Sequence, residues 1–204
     1  MNGLPSRLLA VTDRKLAASP LLETAHAAIE GGATWIWLRD RDLPAGERED
    51  IAARLIAMTA GRARLTIGGD VELARRVGAH GVHLPTGSDL QAARARLGTR
   101  SLIGVSAHGR SDLEAAKAAG ADYATLSPIF ASASKPGYGP AVGLDGLAAA
   151  ASCGLPVVAL GGVTAANAKD CLQAGAAGIA VMGGIFGAPA PCLATRTYLR
   201  ALRA

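Results

Sequence analysis

Four stretches of the chain repeat one arrangement of apolar and small residues: an Ala-rich or helical end, a Gly-Ala step, then a short apolar run. They are Ile29-Glu30-Gly31-Gly32-Ala33 before Trp35-Ile36-Trp37-Leu38, and Arg76-Val77-Gly78-Ala79 before Gly81-Val82-His83-Leu84. The other two are Ala118-Ala119-Gly120-Ala121 before Tyr123-Ala124-Thr125-Leu126, and Gln173-Ala174-Gly175-Ala176 before Gly178-Ile179-Ala180-Val181. Glycine adopts the left-handed backbone that closes a helix at little cost, so each Gly reads as a helix stop. From Gly32 through Gly78 and Gly120 to Gly175 the steps are 46, 42 and 55 residues, about two strand-helix units each.

Between these lie four further apolar runs, at Arg7 to Thr12, Leu65 to Gly68, Ser101 to Ser106 and Pro156 to Leu160. Helical stretches separate the strands, for example Glu47 to Thr59, Asp112 to Ala119 and Ala165 to Leu172. Strands alternating with helices pair in parallel through right-handed crossovers. Eight such units predict a single (β/α)8 TIM barrel across residues 1–204, with no linker and no second domain. An open doubly wound sheet is the rival. It calls for a Gly-rich phosphate turn after the first strand, and Thr12-Asp13-Arg14 is not one.

Composition narrows the class. Half of the 204 residues are apolar and 18% are charged, which suits a packed domain. Aromatic residues are 3%, too few for a base-stacking nucleic-acid surface. The net charge is +5, carried by 17 Arg and 4 Lys without a basic run, so no membrane or nucleic-acid patch is expected. Cys153, Cys171 and Cys192 lack metal spacing and fit free thiols in a reducing compartment. The uncharged segments from Gly146 to Ala168 and from Cys171 to Thr195 are broken by Gly, Pro and polar residues, as strands and turns are. A cytoplasmic protein is expected.

In such barrels the chemistry sits at the C-terminal strand ends, with phosphate often held after strands seven and eight. Gly161-Gly162 and Gly183-Gly184 fall at those two places, where their backbone N–H groups could approach an anion closely. Thr164 is placed to cap the helix that follows the first pair. Arg39 and Arg41 follow strand two and offer anion clamps, unless Arg39 merely pairs with Asp40 or Asp42. Ser106 could donate to phosphate, and His108, just beyond it, is of the residue type that could move protons. His83 ends strand four, where parity is expected to turn it outward in a structural role. The loop after strand six carries Ser132, Ser134 and Lys135, groups suited to a diphosphate.

These residues resemble the thiamine phosphate synthase/TenI family over nearly the whole chain. The shared landmarks are Val11-Thr12-Asp13, Leu38-Arg39, Gly81-Val82-His83-Leu84, Gly104-Val105-Ser106-Ala107-His108, Ser127-Pro128-Ile129-Phe130, Ser134-Lys135, Ala159-Leu160-Gly161-Gly162 and Ile179-Ala180-Val181-Met182. The resemblance implies a barrel of thiamine biosynthesis, often a homodimer. Its synthases join hydroxymethylpyrimidine diphosphate to thiazole phosphate with Mg²⁺, and Arg39 and Lys135 would carry the catalytic charge.

The match departs from the synthase pattern at several positions. The synthases' Gln-Leu-Arg-x-Lys has Trp37 and Arg41 in place of Gln and Lys. Their Asn-Asp after strand three falls on Gly68 and Gly69, and the metal-binding Asp after strand four falls near Ser88. Asp70 and Asp89, the candidate metal ligands, are each displaced by one place. The Pro85-Thr86-Gly87-Ser88 run resembles the TenI branch, known for a thiazole tautomerase, yet the tautomerase's strand-six His is Pro128 here. The expected function is therefore thiazole-phosphate chemistry of the tautomerase kind with His108 as its base and no cofactor. Thiamine phosphate synthesis with Mg²⁺ and a catalytically silent ligand-binding paralogue are the alternatives. A phosphosugar epimerase-like barrel would need paired catalytic Asp residues at strand ends, which are absent.

Overall fold

The computed structural model describes residues 3–131 and 140–203. Eight strands, β1 (Leu8–Val11), β2 (Trp35–Leu38), β3 (Arg64–Gly68), β4 (Gly81–Leu84), β5 (Leu102–Ala107), β6 (Tyr123–Leu126), β7 (Val157–Leu160) and β8 (Gly178–Val181), form a closed parallel barrel in chain order. The seam closes where Leu8, Leu9 and Ala10 of β1 register with Ile179, Ala180 and Val181 of β8. Around it run α1 (Leu21–Glu30), α2 (Ala45–Thr59), α3 (Val71–Arg76), α4 (Leu90–Leu97), α5 (Arg110–Ala118), α6 (Gly143–Ala151), α7 (Ala168–Gln173), the short α8 (Gly183–Phe186) and α9 (Pro191–Ala201). The repeated Gly32, Gly78, Gly120 and Gly175 all have positive φ, as helix stops require. The alternation thus gives the (β/α)8 TIM barrel that the sequence predicts. None of the helices among the described residues is long and apolar enough to cross a membrane.

Side chains alternate along each strand, and the two faces are packed with different materials. Outward residues such as Ile36, Leu38, Ile67, Val82, Ile103 and Ile179 meet the helices in an aliphatic and Ala-rich layer. Burial of each large aliphatic side chain there contributes roughly 1.5–3 kcal/mol. The interior holds Leu9, Val11, Trp35, Trp37, Leu102, Tyr123, Val158 and Ala180, together with buried Thr66, His83 and Thr125. Its large rings fit because glycines face them. A Cβ on Gly104 would stand 2.1 Å from the Tyr123 ring, and one on Gly68 would stand 2.8 Å from the Trp37 indole nitrogen. The ring centroids of Trp35 and Tyr123 lie 4.9 Å apart, edge to face.

Candidate active site at the C-terminal mouth

The strand ends at the C-terminal face of the barrel carry the predicted site residues that the structure describes. On the first side, the buried carboxylate of Asp40 accepts from Thr12 Oγ1 at 2.5 Å and from the Arg14 backbone at 2.8 Å. Thr12 Oγ1 in turn accepts from the Arg39 backbone at 2.9 Å, so one network fixes the ends of β1 and β2. The Arg39 guanidinium lies 3.7 Å from Asp13, whereas Asp40 and Asp42 pair with Arg14. The expected alternative partners of Arg39 are therefore corrected: its partner is Asp13, because Thr12 turns Asp40 toward Arg14. Asp13 also accepts from the Lys15 backbone.

Beside it, the Arg41 stem lies over Gly69, where a Cβ would meet Arg41 Cδ at 2.9 Å. Arg48, on α2, is 6% exposed and donates to the carbonyl of Gly68. Its Nη1 stands 3.6 Å from Asp70, and its Nε has no hydrogen-bond partner among the described residues. Burial lowers the Arg48 pKa, the Asp70 charge opposes this, and the charge of Arg41 lowers it further. Two guanidiniums thus share the end of β3. Nothing in the sequence marked Arg48, which sits in the run Glu47-Arg48-Glu49-Asp50 and reads there as a solvated helix face.

His83 corrects another expectation. It is 2% exposed and faces the barrel interior, because it occupies the same parity as Gly81 and not that of Val82. Its Nδ1 lies 2.9 Å from the Tyr123 hydroxyl, and its Nε2 lies 3.2 Å from both Ser106 Oγ and Thr125 Oγ1. The Trp37 ring covers it at 4.0 Å between centroids. Burial, aided by the charge of Arg41, pushes its pKa down to about 3, so the imidazole is neutral at physiological pH. Burial likewise pushes the Tyr123 phenol up, so both rings serve as fixed hydrogen-bonding groups. Ser106 is half-buried at the mouth, held from below by His83.

His108 is exposed beyond β5. Its backbone donates to Asp112 at 2.8 Å, and its Nδ1 lies 2.9 Å from the Ser127 carbonyl. A carbonyl can only accept, so Nδ1 carries the proton and Nε2 is the basic nitrogen of the neutral ring. Ser132, Ser134 and Lys135 lie outside the described residues.

The two Gly-Gly turns differ. Gly161 and Gly162 have positive φ, and a Cβ on Gly162 would stand 2.6 Å from the Ala131 carbonyl oxygen. This turn is packed under the 128–131 segment, with Phe130 donating to Gly161 O at 3.0 Å. Thr164 and Asn167 exchange side-chain and backbone bonds ahead of α7, whose N-cap position is Asn167, so the expected helix cap is corrected: Thr164 braces the turn before the helix and does not cap it. At Gly183 the nearest contact to an added Cβ is Leu16 Cδ1 at 3.5 Å, so this position opens onto space, whereas a Cβ on Gly184 would stand 2.1 Å from the Tyr198 hydroxyl. Gly183 and Gly184 begin α8, and first-turn N–H groups have no intrahelical acceptor.

The metal candidates are engaged elsewhere. Asp70 caps α3 by accepting from Leu73 at 2.8 Å, and Asp89 caps α4 by accepting from Ala92 at 2.9 Å. Asp13 and Asp40 hold the pairs described above. Among the described residues no three His, Cys, Asp or Glu side chains form a metal-binding group. Mg²⁺ needs convergent hard oxygens in octahedral order, and the carboxylates at this mouth do not fit it.

Comparison with known proteins then decides the family. A family model described as Thiamine monophosphate synthase matches residues 8–185. The chain belongs to the thiamine monophosphate synthase family. It is 41% identical over 199 residues to a putative thiamine-phosphate synthase of Geobacter sulfurreducens, covering 96% of this chain and 93% of that one. It is 43% identical over 192 residues to a thiamine-phosphate synthase of Chromobacterium violaceum, covering 93% and 92%. Its fold is similar to the thiamine phosphate pyrophosphorylase of Pyrococcus furiosus, with a TM-score of 0.86, 30% identity and coverage of 96% and 95%.

Proposed function

We propose that this family member joins hydroxymethylpyrimidine diphosphate to thiazole phosphate, giving thiamine phosphate and diphosphate. The observation that carries the reading is identity above 40% to thiamine-phosphate synthases across more than 90% of both chains. That similarity favours coupling over the tautomerase-like reaction that the sequence puts first.

The step breaks the bond between the pyrimidine methylene carbon and the diphosphate oxygen, and the bonding pair leaves with the diphosphate. The thiazole nitrogen lone pair then forms the new C–N bond. The protein's task is to hold the departing negative charge and to keep water from the cation. In this reading Arg39 and Arg41 face the diphosphate, with Ser132, Ser134 and Lys135 contributed by the loop after β6. The backbone N–H groups of Gly183 and Gly184 receive the thiazole phosphate beside the turn at Gly161-Gly162, and Ser106 donates from the floor. Mg²⁺, which the resemblance implies, would shield the diphosphate when bound. The carboxylates here do not fit it, and no step is assigned to it. A cytoplasmic homodimer without nucleic-acid or membrane partners belongs to the same reading.

The test is incubation of purified protein with both precursors, with and without Mg²⁺, and chromatography for thiamine phosphate. Product formation supports the reading. Its absence in both mixtures, with interconversion of thiazole tautomers, would transfer the chain to the tautomerase reaction. The Pro85-Thr86-Gly87-Ser88 run, which resembles the TenI branch, is the specific feature that favours that second reading.

A further inference from the structure

We infer that the N-terminal face of the barrel carries a second ligand site, a cleft for a small aliphatic polyanion, at the seam where β1 and β8 begin. The cleft encloses about 430 Å³ between α7, the end of α9 and the residues that enter β1 and β8. Ligand clefts run roughly 300–1,000 Å³. Arg7, Lys169 and Arg203 line it together with the Gln173 amide, over an apolar floor that includes Leu172 and Leu202. None of its lining residues is acidic. Arg7 directly precedes β1, and the whole of that strand lies between it and the mouth. At about 3.3 Å per residue the strand sets the cleft more than about 10 Å from the ends that carry the chemistry. The cleft is therefore no part of the site described above, and the inference does not rest on the coupling reading.

Elsewhere on the surface Arg76, Arg94 and Arg110 each hold a carboxylate at 2.7–2.9 Å. Arg7, Lys169 and Arg203 have no ion pair among the described residues. They come from three separate segments, and the fold gathers them around one concavity. Like charges around a cleft repel, and an anion set between them turns that repulsion into attraction. The helix dipole does not account for the arrangement. Arg203 follows the C-terminal end of α9, where a cation is favoured, but Lys169 is in the first turn of α7, where one is not, and Arg7 is on no helix. Each guanidinium can give paired donors to a phosphate or carboxylate, and Lys169 adds a point charge. The lining has no aromatic ring, so it suits an aliphatic body and not a stacked base. An anion held there ties α7 and the end of α9 to the start of β1, so its binding stabilises the folded chain.

The experiment is a ¹H–¹⁵N NMR titration with citrate and, separately, with glycerol 2-phosphate at constant ionic strength, with thermal melts on the same samples. The two arms separate a carboxylate ligand from a phosphate ligand. At least one is expected to give saturable shifts at the amides of Ala176, Ala177 and Arg203, with a Kd of about 1 mM or below, and a Tm that rises with occupancy. Lys169→Gln and Arg203→Gln alter exposed side chains that should not disturb folding. Each should weaken binding by about threefold or more, and the two together by about tenfold or more. Arg100→Gln removes the same charge from an exposed arginine on the same face, ahead of β5 and outside the cleft. It should leave affinity within about 1.5-fold, because screening confines the effect of a distant surface charge. Absence of saturable binding by both anions overturns the inference. So does equal weakening by Arg100→Gln, unchanged affinity in the double variant, or shifts confined to mouth residues such as Ser106 and Gly183.

Discussion

The half of the mouth built by β7 and β8 and the half built by β2 to β5 reach the same end by different means. The first offers backbone: two Gly-Gly turns, one locked under the 128–131 segment and one open at Gly183 beside Leu16 but closed at Gly184 against Tyr198. The second offers side chains that hold one another. Trp37 covers His83, His83 holds Ser106, Thr12 holds Asp40, and Arg48 reaches across from α2 to the carbonyl of Gly68. A backbone site tolerates drift in its surroundings, whereas an interlocked side-chain site fails as a unit. The chain keeps both Gly pairs on the backbone side, while the side-chain half departs from the family pattern at Trp37, Arg41, Gly68 and Gly69.

The largest expected effect comes from breaking the interlocked half from below. Gly104→Val would drive a branched side chain into the Tyr123 ring, where even a Cβ would stand at 2.1 Å. Tyr123 is fully buried and cannot swing away. The loss should be about 3 kcal/mol or more, seen as a large fall in Tm. A variant that melts with wild type would show that the interior is looser than its distances indicate.

That pairing also marks the limit of what the sequence discloses. Four of the eight strands were legible because each follows a Gly-Ala helix stop, and the other four as the apolar runs between them. The Gly-Gly turns were legible because their chemistry is carried by residue type and chain position. The inner layer was not, since Gly68 with Trp37 and Gly104 with Tyr123 are partners across strands, and nothing local links them. His83 was misread because its position at the strand end concealed its alignment with the interior parity of Gly81. Arg48 was invisible because a charged residue in a charged run gives no sign of being buried.

The next effect depends on pH. His83 is held neutral in the folded chain down to about pH 3, while in the unfolded chain it protonates near 6.5. Between those values the unfolded state binds the extra proton, so stability rises with pH. The contribution is whole above pH 6.5 and is lost as pH falls, at up to about 1.4 kcal/mol per pH unit. His83→Gln retains hydrogen bonding and should flatten this slope between pH 6.5 and 4 in denaturant titrations. An equal slope in the variant would place the pH sensitivity on other groups.

A smaller effect should appear in the backbone half. Gly183 has room for a side chain, so Gly183→Asp should fold normally while setting a carboxylate beside the proposed phosphate position. Thiazole phosphate affinity should fall by about tenfold or more by calorimetry. Gly162→Asp is a poorer probe, because its Cβ would strike the Ala131 carbonyl and disturb the loop whether or not phosphate binds. Undiminished affinity in Gly183→Asp would leave the turn as a packing device.

The smallest expected effect separates the two reactions. A tautomerase must withdraw a proton and return it, and with His83 held neutral and Pro128 unable to act, His108 is the candidate base. Coupling needs no such base, because the thiazole nitrogen attacks with its own lone pair. His108→Asn keeps a donor for the Ser127 carbonyl but removes the imidazole. Thiamine phosphate formation should then stay within about threefold of wild type, whereas loss of a general base lowers a rate by about 10²–10⁴-fold. The measurement is kcat for coupling and for tautomer exchange on the same preparation. A collapse of exchange with coupling unchanged would assign both reactions to one mouth. A collapse of coupling itself would show that a proton moves in the rate-limiting step.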